Sequence, residues 1–166
     1  MYQYSFANVD LNIEIDFPGY TGERYFKVQG FTAGENLISI SRKAPIANTI
    51  FGAYGDMVVS MQRIRAGDLV FPVLMNSPEN AYLQEFANYF QQQADADGEL
   101  VKPIQAKLTD NMGRDTALLQ NGVILAMPAM VRGQTANTVT WVLSFERVIF
   151  DRQTGGDYET LGVGIV

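Results

Sequence analysis

The stretch Asp56-Met-Val-Val-Ser-Met-Gln-Arg-Ile-Arg-Ala-Gly-Asp-Leu-Val-Phe-Pro-Val-Leu-Met-Asn-Ser-Pro-Glu-Asn-Ala-Tyr-Leu-Gln-Glu-Phe-Ala-Asn-Tyr-Phe90 decides the fold. Residues 57–65 read as a strand, Ala66-Gly67-Asp68 as a break, and residues 69–75 as a second apolar run. A helix then begins at Ser77. Its hydroxyl can accept from the free amides of the first turn, Pro78 occupies the first helical position without losing a needed N–H, and Glu79 complements the helix dipole. Leu83, Phe86, Ala87 and Phe90 recur at three- and four-residue spacing and form one apolar stripe, which predicts a packed helix over about residues 78–93. The reading is therefore a sheet with a single helix laid against it.

Outward from this stretch, strands dominate. Residues 9–17 alternate strictly, with Val9, Leu11, Ile13, Ile15 and Phe17 on one face and Asp10, Asn12, Glu14 and Asp16 on the other. Pro18-Gly19 and Thr21-Gly22 predict a turn, and residues 24–29 a returning arm. Further strands are predicted at 37–42, 103–109, 122–127 and 138–150; in the last, Val139, Trp141, Leu143 and Phe145 share a face. Residues 110–113 read as a turn. Residues 43–55 show no consistent period and read as a long loop, yet it carries Ile46, Ile50, Phe51 and Tyr54, more apolar surface than a solvated connection should show. These four are expected to join subunits. Residues 151–166 read as a flexible tail on a single domain spanning 1–166. Short strands, glycine-rich turns and one helix predict a mainly β fold, an antiparallel sandwich or barrel with one flanking helix.

Composition narrows the chemistry. The 166 residues contain no cysteine and no histidine. Disulfides, thiolate nucleophiles, Cys/His zinc sites and imidazole catalysis are thereby excluded. No catalytic, cofactor-binding or metal-binding residue is expected. Twelve cations against eighteen anions give a net charge of −6, which disfavours tight phosphate binding. Charged residues make up only 18%, low for a monomer's surface, so part of that surface is expected to lie against another subunit. No stretch approaches eighteen consecutive apolar residues and the first residues lack a signal-peptide pattern, so a cytoplasmic origin with no membrane segment is expected.

The remaining candidates have plain structural readings beside them. Asp95 with Asp97, Asp110 with Asp115, and Asp10 with Asp16 could flank a metal or a glycosidic bond, but read better as a helix exit, a turn and a solvated strand face. Tyr2, Tyr4, Tyr20, Tyr25 and Trp141 could line a sugar-binding face, although Trp141 sits on the strand face of Leu143 and Phe145 and reads as core. Arg63 and Arg65, with Arg42 and Lys43, could form a basic strip; ion pairs to acidic strand faces are its expected use.

In order along the chain, Tyr4-Ser-Phe-Ala-Asn-Val-Asp10, Gly55-Asp-Met-Val-Val-Ser60, Ser77-Pro-Glu-Asn-Ala-Tyr-Leu83, Leu108-Thr-Asp-Asn-Met-Gly113, Gly122-Val-Ile-Leu-Ala-Met-Pro128 and Thr140-Trp-Val-Leu-Ser-Phe145 form a pattern. From about Tyr4 to Phe150 this pattern resembles the inner tail tube proteins of contractile-tailed bacteriophages and related injection systems. The resemblance implies a structural virion protein whose six-subunit rings stack into a tube for DNA ejection. It implies contacts with further copies of itself, the tail sheath, the baseplate and the tail terminator, transient passage of phage DNA, no cofactor, and assembly in the host bacterial cytoplasm. It leaves open whether the particle is an infectious phage or a headless injection device, and the roles of residues 18–27 and of the tail. A monomeric β-sandwich module binding carbohydrate or protein is the reading from another class, and a carboxylate hydrolase a third.

Overall fold

A computed structural model of the chain describes residues 9–28, 38–94, 102–110, 115–130, 133 and 138–152. The strands are β1 (Val9–Glu14), β2 (Tyr25–Lys27), β3 (Ser39–Arg42), β4 (Ala47–Phe51), β5 (Met57–Met61), β6 (Gly67–Leu74), β7 (Ile104–Asp110), β8 (Asp115–Ala126) and β9 (Thr138–Arg152); the helix is α1 (Pro78–Ala94). Among the described residues seven strands form one antiparallel sheet in the order β2-β1-β7-β8-β9-β6-β3, while β4 and β5 pair with each other and with no other described strand. The mainly β, antiparallel fold with one helix is the one the sequence predicts.

Alternation places the core. Leu11, Ile13, Ile15 and Phe17 from the β1 side, Leu69, Phe71 and Val73 from β6, and Val139, Trp141, Leu143 and Phe145 from β9 are all buried in a single cluster. Burial of each such side chain stabilises the fold by about 1.5–3 kcal/mol before chain entropy is set against it. Pro72 lies within β6 opposite Thr140 of β9, and among the described residues the β3 ladder on its other side reaches Ser39↔Val70.

One bulge explains where alternation fails. Between Ala106↔Leu119 and Ile104↔Gly122, β8 spends one residue more than β7. The extra residue sits at Gln120-Asn121, where Asn121 adopts a left-handed φ of 57°. Gln105 and Asn121 hold the bulge reciprocally: Gln105 Nε2 donates to Asn121 Oδ1 at 3.0 Å, and the Asn121 N–H donates to Gln105 Oε1 at 3.2 Å. Asn121 Nδ2 adds a bond to Glu146 Oε2 at 3.1 Å. Across it the buried positions change parity, from Ala117 and Leu119 to Gly122 and Ile124 on β8, and from Val148 to Phe145 on β9. A strand over 122–127 alone is thus a correction: β8 begins at Asp115, and its first half lacks a readable period because Thr116 and Ala117 are both buried.

The helix start follows its sequence signals. Ser77 Oγ accepts from the Asn80 N–H at 3.4 Å and donates to the Leu74 carbonyl at 2.8 Å. Leu83, Phe86 and Ala87 are buried as expected; Phe90 is only half-buried, stacking on Phe86 at 6.5 Å between centroids. The turn after β1 latches onto the helix. Phe17 stacks on Tyr89 at 4.2 Å, Tyr20 meets Tyr82 edge-on at 6.5 Å, and the Thr21 N–H and hydroxyl both donate to Glu85 Oε1, at 3.0 and 3.1 Å. Residues 18–27 therefore fasten helix to sheet. In the tail, Asp151 and Arg152 still belong to β9, which corrects a tail beginning at 151; the rest lies outside the described residues.

Candidate assembly surface

The residues between β3 and β6 form an arm rather than a loop. The β3/β6 ladder runs from Ser39↔Val70 to Arg42↔Gly67 and continues through Lys43 N–H to the Ala66 carbonyl at 3.0 Å. It resumes with Gln62 N–H to the Ile46 carbonyl at 2.9 Å and then Ala47↔Met61 to Phe51↔Met57. Ala44 and Pro45 on one side face three residues, 63–65, on the other, and this mismatch bends the hairpin where Pro45 lacks an N–H. The strand expected over 57–65 accordingly ends at Met61. At the tip, Gly55 N–H donates to the Gly52 carbonyl at 3.0 Å, Gly52 N–H to the Asp56 carbonyl at 2.7 Å, and Gly55 has φ +87°. This is a three-residue hairpin loop with its left-handed residue supplied by glycine.

Both faces of the arm carry exposed apolar side chains. The register puts Ala47, Thr49, Phe51, Met57, Val59 and Met61 on one face and Asn48, Ile50, Val58 and Ser60 on the other, with Ile46 opposite Gln62 at the base. Ile46 is 72% exposed, Ile50 68%, Phe51 66% and Tyr54 97%, so the four residues singled out in the sequence do stand together on one projection. Sequence reasoning missed Met57, Val58, Val59 and Met61, which it placed in the body of a strand. The signal was present: two β-rich runs around Gly52-Ala-Tyr-Gly-Asp56 are a hairpin pattern. A two-stranded hairpin alone in water is marginally stable, and one with exposed apolar side chains on both faces calls for cover.

A basic collar surrounds the arm's base. Arg42 lies 5.2 Å above the Phe150 ring, Lys43 Nζ is 3.3 Å from Asp68 Oδ1, and Arg63 and Arg65 are exposed with no ion pair among the described residues. Among the described residues, ion pairing of this strip to the chain's own acids is therefore that of Lys43.

The other candidates disperse. Asp10 pairs with Lys27 at 2.7 Å and Asp16 with Arg24 at 3.5 Å, each bound to the neighbouring hairpin rather than to the other. Asp110 and Asp115 sit opposite one another in the β7–β8 register, Asp110 as the last residue of β7 rather than in a turn. Asp95, Asp97, Tyr2 and Tyr4 lie outside the described residues. Trp141 is fully buried and Tyr20 half-buried, so of the described residues proposed for a sugar-binding face only Tyr25 is exposed. Burial first, then Glu85, Tyr82 and Glu23, raise the Tyr20 phenol above its ordinary range, and its hydroxyl donates to the Glu23 carbonyl at 2.6 Å. No group of three or more potential metal ligands is present among the described residues.

Comparison with known proteins adds fold and family. No curated protein sequence matches the chain. Among solved structures it is similar to a chain of the PVC sheath–tube complex of an extracellular contractile injection system in its extended state, with a TM-score of 0.57 and 12% identity over 92% of this chain and 93% of that one. It is also similar to a chain of the anti-feeding prophage tube-terminating cap, with a TM-score of 0.56 and 13% identity over 92% and 93%. A chain of the PVC sheath/tube terminator gives 0.55 and 13% over 91% and 98%. At these identities the likeness establishes a shared fold. Residues 1–153 match the model of the bacteriophage PhiTE tail tube proteins, and the chain belongs to that family.

Proposed function

We propose that this tail tube protein builds the inner tube of a contractile tail, as six-copy rings stacked into a hollow conduit through which phage DNA is ejected. The observation that carries the reading is the arm: at least seven apolar side chains on it are left exposed by the described residues. Further copies would supply the cover, with residues 46–61 as the joint between them. The edges that β2 and β3 form among the described residues would pair with neighbouring copies, which removes exposed hydrogen-bonding rows that otherwise invite aggregation. The acidic balance suits a passage for a polyanion, because like charge prevents adhesion. The sheath, the terminator and the baseplate are the partners in this reading, in keeping with the sheath–tube and terminator assemblies in which the similar chains occur. The protein's role is structural, not enzymatic, with assembly in the host cytoplasm and residence in the particle.

The test replaces Ile50 and Phe51 together by Ser. Neither residue touches the core, so circular dichroism should report an unchanged fold. Electron microscopy and sedimentation should show long tubes for the wild type and short or absent tubes for the double variant. Wild-type protein that sediments as a compact monomer at all concentrations would favour the β-sandwich binding module instead.

A further inference from the structure

We propose that Asn121 is a latent deamidation site, held closed by the side chains of Gln105 and Glu146, and that its conversion to aspartate or isoaspartate unfastens the bulge of β8. Asn121 is followed by Gly122 and is exposed to water. Asparagine is a thermolabile residue, and a glycine after it leaves the next backbone nitrogen unhindered, because no Cβ stands beside it. The Gly122 nitrogen attacks Asn121 Cγ and forms a new N–C bond. The Cγ–Nδ2 bond then breaks, and Nδ2 leaves as ammonia with the proton from the Gly122 amide. Water opens the cyclic imide at either carbonyl. Breaking the bond from Cγ to the Gly122 nitrogen gives aspartate; breaking the bond from the Asn121 main-chain carbonyl gives isoaspartate, whose backbone is longer by a methylene.

The fold calls for both members of this labile pair. The left-handed φ of 57° at the bulge suits asparagine far better than a bulky residue. At 122 a Cβ would lie 2.4 Å from Phe145 Cε1, so glycine is the residue that fits. What the fold adds is restraint. Attack needs the Asn121 carboxamide to swing back over its own main chain toward the Gly122 nitrogen. Gln105 Nε2 holds Oδ1 at 3.0 Å and Glu146 Oε2 holds Nδ2 at 3.1 Å, so both ends of the carboxamide are tied to the flanking strands β7 and β9. Gln105 Oε1 also accepts from the Asn121 N–H at 3.2 Å, and Gly122 pairs with Ile104 on one side and Phe145 on the other, which fixes the main chain across the reacting bond. Conversion reverses these contacts. A donor 3.1 Å from Glu146 becomes a carboxylate oxygen, and two like charges meet where a hydrogen bond stood. The bulge sits where the buried positions of β8 change parity, so loosening it loosens the packing of Phe145 over Gly122.

Peptide mapping reads the reaction, because trypsin cutting after Arg114 and Arg132 releases residues 115–132, which contain a single asparagine. Full-length protein is incubated at mildly alkaline pH, native or in guanidinium chloride, and then digested. Mass spectrometry reports the amide-to-acid change, and chromatography separates aspartate from isoaspartate. The denatured chain should convert to both products, and the native wild type at least about tenfold more slowly, the weight of two side-chain hydrogen bonds. Gln105→Ala and Glu146→Ala should each raise the native rate about fivefold, whereas Ser77→Ala, which weakens the helix start instead, should not. A denatured chain that stays an amide, or that yields aspartate alone, would overturn the imide route. A native wild type converting at the denatured rate would overturn the protection. Rates equal in the wild type and both clip variants, or raised as much by Ser77→Ala, would show that the side-chain clip is not what holds the site closed. Asn121→Asp should melt below the wild type, and adding Glu146→Gln, which gives the facing group a donor nitrogen, should recover part of the loss. An unchanged melting temperature in Asn121→Asp would overturn the unfastening.

Discussion

Trp141 Nε1 donates to Asn80 Oδ1 at 3.0 Å in the buried interior, and Asn80 Nδ2 donates in turn to the Met75 carbonyl at 2.8 Å. One amide thus satisfies the indole of β9 and a backbone carbonyl just ahead of α1, fixing the helix start on the sheet. Asn80→Ala should leave the indole N–H without its partner and cost about 1–3 kcal/mol. Trp141→Phe should cost at least as much, and the two losses should be clearly less than additive in a double-mutant cycle read from urea melts of an assembly-blocked subunit. Full additivity would show that the pair does not act together.

The helix cap and stripe differ in weight. Ser77→Ala removes an acceptor at 3.4 Å and should cost about 0.5–1 kcal/mol, whereas Phe86→Ala empties a fully buried site and should cost about 3–5 kcal/mol. Urea midpoints at constant m-value would rank them. Phe90→Ala, at a half-buried position, should fall between the two.

Gly122 is required by its neighbour. A Cβ there would lie 2.4 Å from Phe145 Cε1, and the ring is itself enclosed by the core. Gly122→Ala should destabilise by about 1–3 kcal/mol. Adding Phe145→Leu should recover part of that loss, although the same change in the wild type is destabilising. A sign reversal of this kind in thermal melts would identify the clash as the cause.

Tyr20 gives a pH dependence. Its folded-state pKa is raised, mainly by burial, so its contribution is fully present below the unfolded value of about 10 and is lost as pH rises beyond it. Tyr20→Phe should be less stable than wild type near neutrality, having lost the bond to the Glu23 carbonyl, yet lose stability less steeply between about pH 9 and pH 11. Parallel pH slopes for the two proteins in denaturant titrations would remove Tyr20 from the account.

Gly55 tests the arm's tip. With φ +87° and open space around the missing Cβ, Gly55→Val should strain the loop by about 1–2 kcal/mol without touching the body. Subunit melts should be unchanged while the protein concentration needed for tube formation rises several-fold, measured by light scattering. An unchanged threshold would show that the hairpin loop need not be pre-formed.

Local pattern alone determined a good deal. Strict alternation in β1 and in the first half of β9 placed Leu11, Ile13, Trp141 and Leu143 in the core, because a strand with one wet face must repeat every two residues. Ser77-Pro78-Glu79 marked the helix start, because only the first turn has free N–H groups to cap. The lack of cysteine and histidine removed whole classes of chemistry. Tertiary structure decided the rest. Nothing local in Gln120-Asn121 announces a bulge, since the extra residue exists only relative to β7; the parity change that follows hid the first half of β8. Ile50 and Phe51 could be recognised as too apolar for a loop, but that Val58 and Met61 stand beside them in water depended on a long-range fact. Residues 57–61 pair with residues 47–51 and with no other described strand, so a run that reads as buried is exposed.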